Sequence, residues 1–279
     1  LIKKQLKTLK IKLKMNKIHN IDNQNLKKNL TIYDVPLKFN KPFNISKINK
    51  KNYIIKCLEL GIKLSKLNRI VGFVNCPINK IDVFKKNIGV TEFLAKKSGV
   101  LGKEAMLIYN KSLSVSPITT HLNLRKVSVN INSKKIVNKI ITINNFFVKI
   151  FKIKPKICVT GLNPHNDEMR NNCEEKKIIL PAIKYLKRKG IKIQGPVPAD
   201  TAFLNLNERS FDVMVGMYHD QVLAPFKALF AFKAINITLG LPFLRISPDH
   251  GTGREIIGKN LADPSSLLEA IRFFKRIDV

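Results

Sequence analysis

The sequence predicts an α/β fold built on a largely parallel sheet, and two observations carry that expectation. Short apolar runs rich in Val and Ile alternate along the chain with longer stretches of helical periodicity, the pattern of strands joined by crossover helices. Three of the five histidines stand just after such runs. They are His121 in Ser-Pro-Ile-Thr-Thr-His, His165 in Ile-Cys-Val-Thr-Gly-Leu-Asn-Pro-His and His219 in Val-Met-Val-Gly-Met-Tyr-His-Asp-Gln. Ligands of α/β sheets bind beyond the carboxyl ends of strands.

Taken in order, residues 1–30 are rich in Lys, Asn and Leu and lack turn punctuation, which predicts a basic, low-complexity leader, frayed or poorly ordered. Residues 31–279 form the folded domain. Asn52–Leu64 has helical periodicity, and Arg69–Asn75 reads as a buried strand. Thr91–Ser98 reads as helix, and Met106–Tyr109 with Leu113–Ser116 as hairpin strands. Lys134–Lys152 is helical, Ile157–Thr160 a strand, and Lys176–Lys189 a helix closed by Gly190. Phe211–Gly216 reads as a buried strand and Asn236–Leu239 as a short one. The tail Pro264–Phe274 reads as a helix with proline in its first turn.

The apolar fraction of 44% over 279 residues supports a sizeable core. A formal net charge of +32 would by itself suggest nucleic acid or an anionic membrane. The basicity is lysine travelling with asparagine and isoleucine, the residues that AT-rich codons specify, so coding bias accounts for it. No zinc-finger spacing or RNP-like motif points to specific nucleic-acid binding, and no apolar stretch approaches the ~20 residues of a membrane span. Cys57, Cys76, Cys158 and Cys173 show no paired spacing, which suits a reducing cytoplasm.

Neutral imidazole is the commonest ligand of catalytic transition metals, and three of them leave a position open for substrate. His121, His165 and His219 are therefore the expected metal ligands. Asp220 follows His219 and suits an imidazole partner, while Asp200 lies at a second edge position after Gly195-Pro-Val-Pro-Ala. These two are the candidate catalytic carboxylates. Lys227, Asn236 and Arg245 are polar groups set in apolar sequence. Arg245 in Leu-Pro-Phe-Leu-Arg-Ile-Ser is the sharpest, because a buried guanidinium requires an anion and the chain holds only 19 acidic residues. Asp249-His-Gly-Thr-Gly adds a glycine-containing loop that suits close approach to a ligand. No P-loop, G-x-S-x-G or strand-borne G-x-G-x-x-G is present.

Asn75-Cys-Pro-Ile-Asn-Lys80, Gly89-Val-Thr-Glu-Phe-Leu-Ala95, Pro117-Ile-Thr-Thr-His-Leu122, Gly161-Leu-Asn-Pro-His165, Gly195-Pro-Val-Pro-Ala-Asp-Thr201, Tyr218-His-Asp-Gln221, Asn236-Ile-Thr-Leu-Gly-Leu-Pro-Phe243, Asp249-His-Gly-Thr252 and Ala262-Asp-Pro-Ser-Ser266 follow one another in the chain. From about residue 50 to the end, this series resembles the 4-hydroxythreonine-4-phosphate dehydrogenases of pyridoxine (vitamin B6) biosynthesis. The resemblance implies a fold like the isocitrate and isopropylmalate dehydrogenases, with two α/β subdomains around a mostly parallel sheet. It implies a homodimer whose active site lies in the cleft at the subunit interface. It also implies NAD or NADP, a divalent metal (zinc, magnesium or cobalt) on His121, His165 and His219 with both subunits contributing, and substrate on Thr91, Lys227, Asn236 and Arg245. His121 and His165 are expected from one subunit and His219 from the other. A small phosphorylated amino acid is the implied substrate, and which residues hold the cofactor is left unassigned.

Three departures stand out. The family's histidine before the threonine of Gly-His-Thr-Glu is Val90 here, so a substrate donor is missing and Val90→His is expected to restore one. Its glycine-rich loop is replaced by Asn166-Asp-Glu-Met-Arg-Asn-Asn-Cys. Its N-terminal Gly-Asp-Pro-x-Gly-Ile-Gly-Pro-Glu segment is absent, leaving the dehydrogenase domain incomplete at its start. These departures leave open a sister dehydrogenase acting on another four-carbon phosphorylated acid, or a copy without catalysis.

Overall fold

The alternation of strands and helices becomes one mixed sheet with helices on both faces in the computed structural model, which describes residues 1–21, 29–84, 89–209, 211–231, 233–257 and 259–277. The chain opens with α1 (Ile2–Thr8), β1 (Met15–Ile18) and β2 (Leu30–Tyr33), the two strands pairing in parallel apart from the main sheet. In the stretch expected as a leader, the described residues thus include a helix and a strand. Next come α2 (Lys47–Lys66), β3 (Gly72–Val74), α3 (Lys80–Val83), α4 (Val90–Lys97), β4 (Ala105–Tyr109) and β5 (Ser114–Thr119). Then follow α5 (Val127–Asn130), α6 (Ser133–Phe151), β6 (Ile157–Thr160), α7 (Leu180–Arg188), β7 (Ile193–Val197) and α8 (Leu206–Arg209). The chain closes with β8 (Val213–Tyr218), α9 (His219–Phe230), β9 (Ile235–Leu239), β10 (Leu244–Pro248) and α10 (Ser265–Arg276).

Among the described residues eight strands form the main sheet, in the order β3-β10-β9-β4-β5-β8-β6-β7. Four of its seven pairings are parallel. The block β5-β8-β6-β7 is parallel throughout, so these four strands share one carboxyl edge. The expected hairpin of β4 and β5 is present as an antiparallel pair.

Local chemistry sets several boundaries. Ser46 caps α2 by accepting from the Asn49 N–H, and Asn132 caps α6 by accepting from the Lys135 N–H. The strand expected from Arg69 begins only at Gly72, because Arg69 still closes α2 by donating its N–H to the Leu64 carbonyl. Sequence periodicity did not indicate β7, β10 or α9. In α9, Pro225 lies inside the helix and argues against it. Burial of Val222, Leu223 and Phe226 overrides that signal.

One face of the sheet, with Val159, Val213, Val215, Ile237 and Ile246, packs on Ile136, Ile140, Ile143 and Phe147 of α6, Ile183 and Leu186 of α7, and Phe273 of α10. The opposite face carries two separate apolar clusters. In one, Val222, Leu223 and Phe226 of α9 cover Ile108, Val115, Cys158 and Met214. In the other, Leu58 and Ile62 of α2 meet Val90 and Leu94 of α4, with Phe73 and Phe243. Ile237 and Ile246 point to the first face, so by strand alternation Asn236, Thr238, Arg245 and Ser247 line the second. They form a polar seam between the two clusters.

Gly216 lets α9 lie close on β8. A β-carbon there would stand 2.5 Å from Val222 Cγ1 and 3.0 Å from Gln221 Oε1. Gly216→Ala is expected to destabilise by about 1–3 kcal/mol through overpacking, lowering the urea midpoint at unchanged m-value. Gly251→Ala, with nothing within 4 Å of the new methyl, is the control and should stay within about 0.5 kcal/mol.

Candidate active site

The parallel register places Thr119 of β5 opposite Tyr218 of β8, and the Thr119 hydroxyl donates to the Met217 carbonyl at 2.7 Å. His219 follows β8 at once and His121 follows β5 by two residues, so the two rings meet at the carboxyl edge, 6.1 Å apart between centroids. His219 Nδ1 stands 2.7 Å from Asp220 Oδ1, which leaves Nε2 as its outward nitrogen. The Lys80 ammonium of α3 lies 3.1 Å from His121 Nε2. An ammonium only donates, so this nitrogen presents its lone pair. Burial, then the charge of Lys80, holds the His121 pKa below its ordinary value, keeping the ring neutral as a metal ligand must be.

The spacing of the two rings suits a divalent cation, with the Lys80 ammonium occupying the Nε2 lone pair of His121 in this structure. With metal–nitrogen bonds of about 2.1 Å, two imidazole centroids around one ion stand about 5–6 Å apart, close to the observed separation.

His165 is not brought to this pair. It lies five residues beyond β6, exposed, on a turn in which His165 through Met169 all have left-handed backbone, φ between 46° and 57°. Among the described residues no three His, Cys, Asp or Glu side chains group so as to hold a metal. Within one chain the adjacent histidines are therefore His121 and His219, not His121 and His165 as expected. The β5–β8 pairing dictates this. Asp200 is exposed in the turn after β7.

The turn before His165 is held from two sides. Gln221 Nε2 donates to the Gly161 carbonyl at 2.7 Å, while Gln221 Oε1 accepts from the Met217 N–H and the Thr160 hydroxyl. Glu175, fully buried, accepts from the Leu162 and Asn163 N–H groups, both at 2.7 Å, and from Asn163 Nδ2 at 3.1 Å. Burial pushes its pKa up, but the hydrogen bonds from Asn163 and Leu162 outweigh it and hold the carboxyl below its ordinary value.

The polar seam holds the other residues singled out in the sequence. Arg245 is 4% exposed. Its Nε donates to Asn75 Oδ1 at 2.5 Å and its NH1 nitrogen to Thr238 Oγ1 at 2.8 Å. Both acceptors are neutral. Burial brings its pKa down to about 10, opposed by the negative charge of Glu92, so it stays charged at neutral pH. Thr91 Oγ1 approaches Thr238 Oγ1 at 3.5 Å. Asn236 Oδ1 is buried without a hydrogen-bond partner among the described residues. Lys227 of α9 pairs with the Asp249 carboxylate and donates to the Asp249 carbonyl at 3.0 Å. Burial raises the Asp249 pKa, opposed by Lys227.

Sequence reasoning assigned no individual role to Lys80, Asn75, Thr238, Glu175 or Gln221. Asn75, Lys80, Thr238 and Gln221 lie within the motif stretches quoted above, so their segments were visible although their roles were not. Glu175 lies outside every one, and only its complete burial reveals it.

A family model described as pyridoxal phosphate biosynthetic protein PdxA matches residues 1–274. A 4-hydroxythreonine-4-phosphate dehydrogenase of Sulfurihydrogenibium sp. is 46% identical over 220 residues, covering 77% of this chain and 67% of that protein. One from Aquifex aeolicus is 44% identical over 210 residues, covering 74% and 65% respectively. The chain thus spans about two thirds of the length of these curated relatives. The crystal structure of the Klebsiella pneumoniae 4-hydroxythreonine-4-phosphate dehydrogenase superposes with a TM-score of 0.81 at 29% identity, over 94% of this chain and 82% of that one.

Val90 corrects one expectation. Its side chain is 7% exposed and packs with Leu58, Ile62 and Leu94, turned into the apolar cluster, whereas Thr91 reaches the seam. Val90→His would bury an imidazole among aliphatic groups, at a cost of about 1–3 kcal/mol. A lower urea midpoint with no gain in ligand affinity is the expected result. A variant as stable as the parent that binds ligand more tightly would place residue 90 in the cleft after all.

Proposed function

Because the chain belongs to the PdxA family of pyridoxal phosphate biosynthetic proteins, whose curated relatives here are named as dehydrogenases, we propose that it oxidises 4-phosphohydroxy-L-threonine with NAD or NADP. The product is 2-amino-3-oxo-4-phosphooxybutanoate, which loses carbon dioxide to give 3-amino-2-oxopropyl phosphate on the route to pyridoxal 5'-phosphate. The observation that carries this reading is Arg245, a buried guanidinium hydrogen-bonded only to neutral oxygens, on the same sheet whose carboxyl edge carries the neighbouring rings of His121 and His219. A desolvated cation and a pair of imidazole donors on one sheet suit a substrate that brings both an anion and an oxidisable alcohol.

When bound, a divalent ion (zinc, magnesium or cobalt) supplies Lewis-acid charge at the alcohol, and the nicotinamide supplies the hydride acceptor. His121 and His219 hold the ion from one copy of the chain. His165, exposed on its turn, completes the set from a second copy in a homodimer with a shared site. Asp220 fixes the tautomer of His219, and Asp200 is the carboxylate available to take the hydroxyl proton. Arg245 and Lys227 neutralise the substrate's phosphate and carboxylate. The unpartnered Asn236 Oδ1 accepts from its ammonium group, and Thr91 adds a hydroxyl contact. None of the described helices is long and apolar enough to cross a membrane, and the cytoplasm is the proposed compartment.

Arg245→Ala is expected to raise KM for the phosphorylated substrate tenfold or more, about 1.4 kcal/mol, in an assay of NAD(P)H formation. Removing divalent ions by chelation should abolish turnover, and adding cobalt or zinc should restore it. Unchanged KM in Arg245→Ala would make Arg245 structural, and turnover in chelator would remove the metal from the reaction.

A further inference from the structure

We infer that Glu175 is a positioning residue for His165, setting the place of the imidazole without touching metal or substrate. The inference rests on the reading of His165 as a metal ligand given above. A carboxylate with no exposure is costly to bury unless charge or hydrogen bonds compensate it. Among the described residues no cation pairs with Glu175. Its compensation is the turn itself: two backbone N–H groups, of Leu162 and Asn163, on Oε1 and the Asn163 amide on Oε2. Asn163 Nδ2 also donates to Glu174 Oε2 at 2.9 Å. Carboxylate and turn conformation therefore depend on each other.

The turn needs such support. Five consecutive residues, His165 through Met169, none of them glycine, hold left-handed backbone. Left-handed backbone is unfavourable at each such residue, and strain of this kind persists only where surrounding contacts over-determine the backbone. On the upstream side those contacts are Glu175 and Gln221. Downstream of His165, Asn166 Nδ2 donates to the Pro196 carbonyl at 3.1 Å, and the Arg170 guanidinium reaches Asp167 and Glu168. Glu175 alone among these is charged, fully buried and bonded to backbone N–H groups within three residues of His165. At Gly161 a β-carbon would clash with Asn166 Oδ1 and stand 3.0 Å from Glu175 Oε1, so that residue's lack of a side chain chiefly admits Asn166 and leaves room for the carboxylate.

A double-mutant cycle on cobalt binding by the full chain, followed by calorimetry and by the visible absorption of bound Co2+, tests the inference. Glu175→Leu keeps the volume and removes the acceptors, and it should weaken Co2+ about ten- to hundredfold, the usual effect of losing an outer partner of a metal ligand. Glu175→Gln keeps the oxygen that serves both N–H groups and should stay within about threefold. In a His165→Ala background, Glu175→Leu should add no further loss, because its whole effect passes through that imidazole. Additive losses would make Glu175 a general stabiliser and overturn the inference, as would wild-type affinity in Glu175→Leu. Should Glu175→Leu fail to fold by circular dichroism, Asn163→Ala replaces it. A loss of about threefold or more that vanishes with His165→Ala supports the inference, and a loss that persists overturns it. His165→Ala binding Co2+ like the parent would instead remove His165 from the metal set, a separate outcome that takes the premise with it.

Discussion

The register of β5 on β8 is the constraint from which the site follows. Thr119 faces Tyr218 across a parallel pair, so the residues that leave the two strands leave from one edge in one direction. A parallel block also has to be covered on both faces. Helices α6, α7 and α10 close one face, while on the other α9 packs over β4, β5, β6 and β8, and α2 with α4 packs near β3. Between those covers β9 and β10 present Asn236, Thr238 and Arg245 to the gap. Thr238 and Arg245 are nearly inaccessible to solvent, so hydrogen bonds within the seam, rather than water, serve them.

The sequence made much of this legible. Strand β6 was expected at its observed bounds, the helical stretch Lys134–Lys152 differs from α6 by a residue at each end, and Asn236 and Arg245, polar residues set in apolar runs, lie on one face of the sheet. Alternation within Asn236-Ile-Thr-Leu carries the information, since the aliphatic residues go to the core and the polar ones face away. What sequence could not supply was distance. His121, His165 and His219 look equivalent as strand-end histidines, yet only two of them meet in one chain. The difference lies in loop length, since one or two residues beyond a strand leave a side chain at the edge and five carry it outward. Val90 shows the same limit. Periodicity places it next to Thr91 without saying that, in the first turn of α4, adjacent positions point about 100° apart, one to the core and one to the seam.

Two buried charges of opposite sign organise the site, and they do not pair with each other. Glu175 is satisfied by backbone N–H groups and Arg245 by side-chain oxygens. The difference has consequences for what each can do. Three donors converge on the Glu175 carboxylate, which suits it to fixing structure. Arg245 has five N–H donors, and the two bonds described above occupy two of them, to neutral acceptors. Among the described residues no ion pair compensates its charge and only the field of Glu92 favours it, so an incoming anion would add the direct pairing it lacks.

The choice of arginine at that position separates chemical requirement from coding bias. Lysine outnumbers arginine several-fold in this chain, and on the solvated surface either cation serves. Burial treats them differently. Lys139 on α6 is brought down to about 8, first by burial and then by the charge of Lys135, close enough to neutrality that its protonation varies across ordinary conditions. Arg245 is buried by the same physics and comes down only to about 10. A lysine in its place would face the same desolvation from a lower starting point and lose charge where an anion must be met. It would also lose the planar fork that bonds Asn75 and Thr238 at once. Where a composition that drifts towards lysine keeps an arginine, with neutral partners and almost no exposure, the position has a requirement that lysine cannot meet. The basic surface says little about function, and this one buried cation says a great deal.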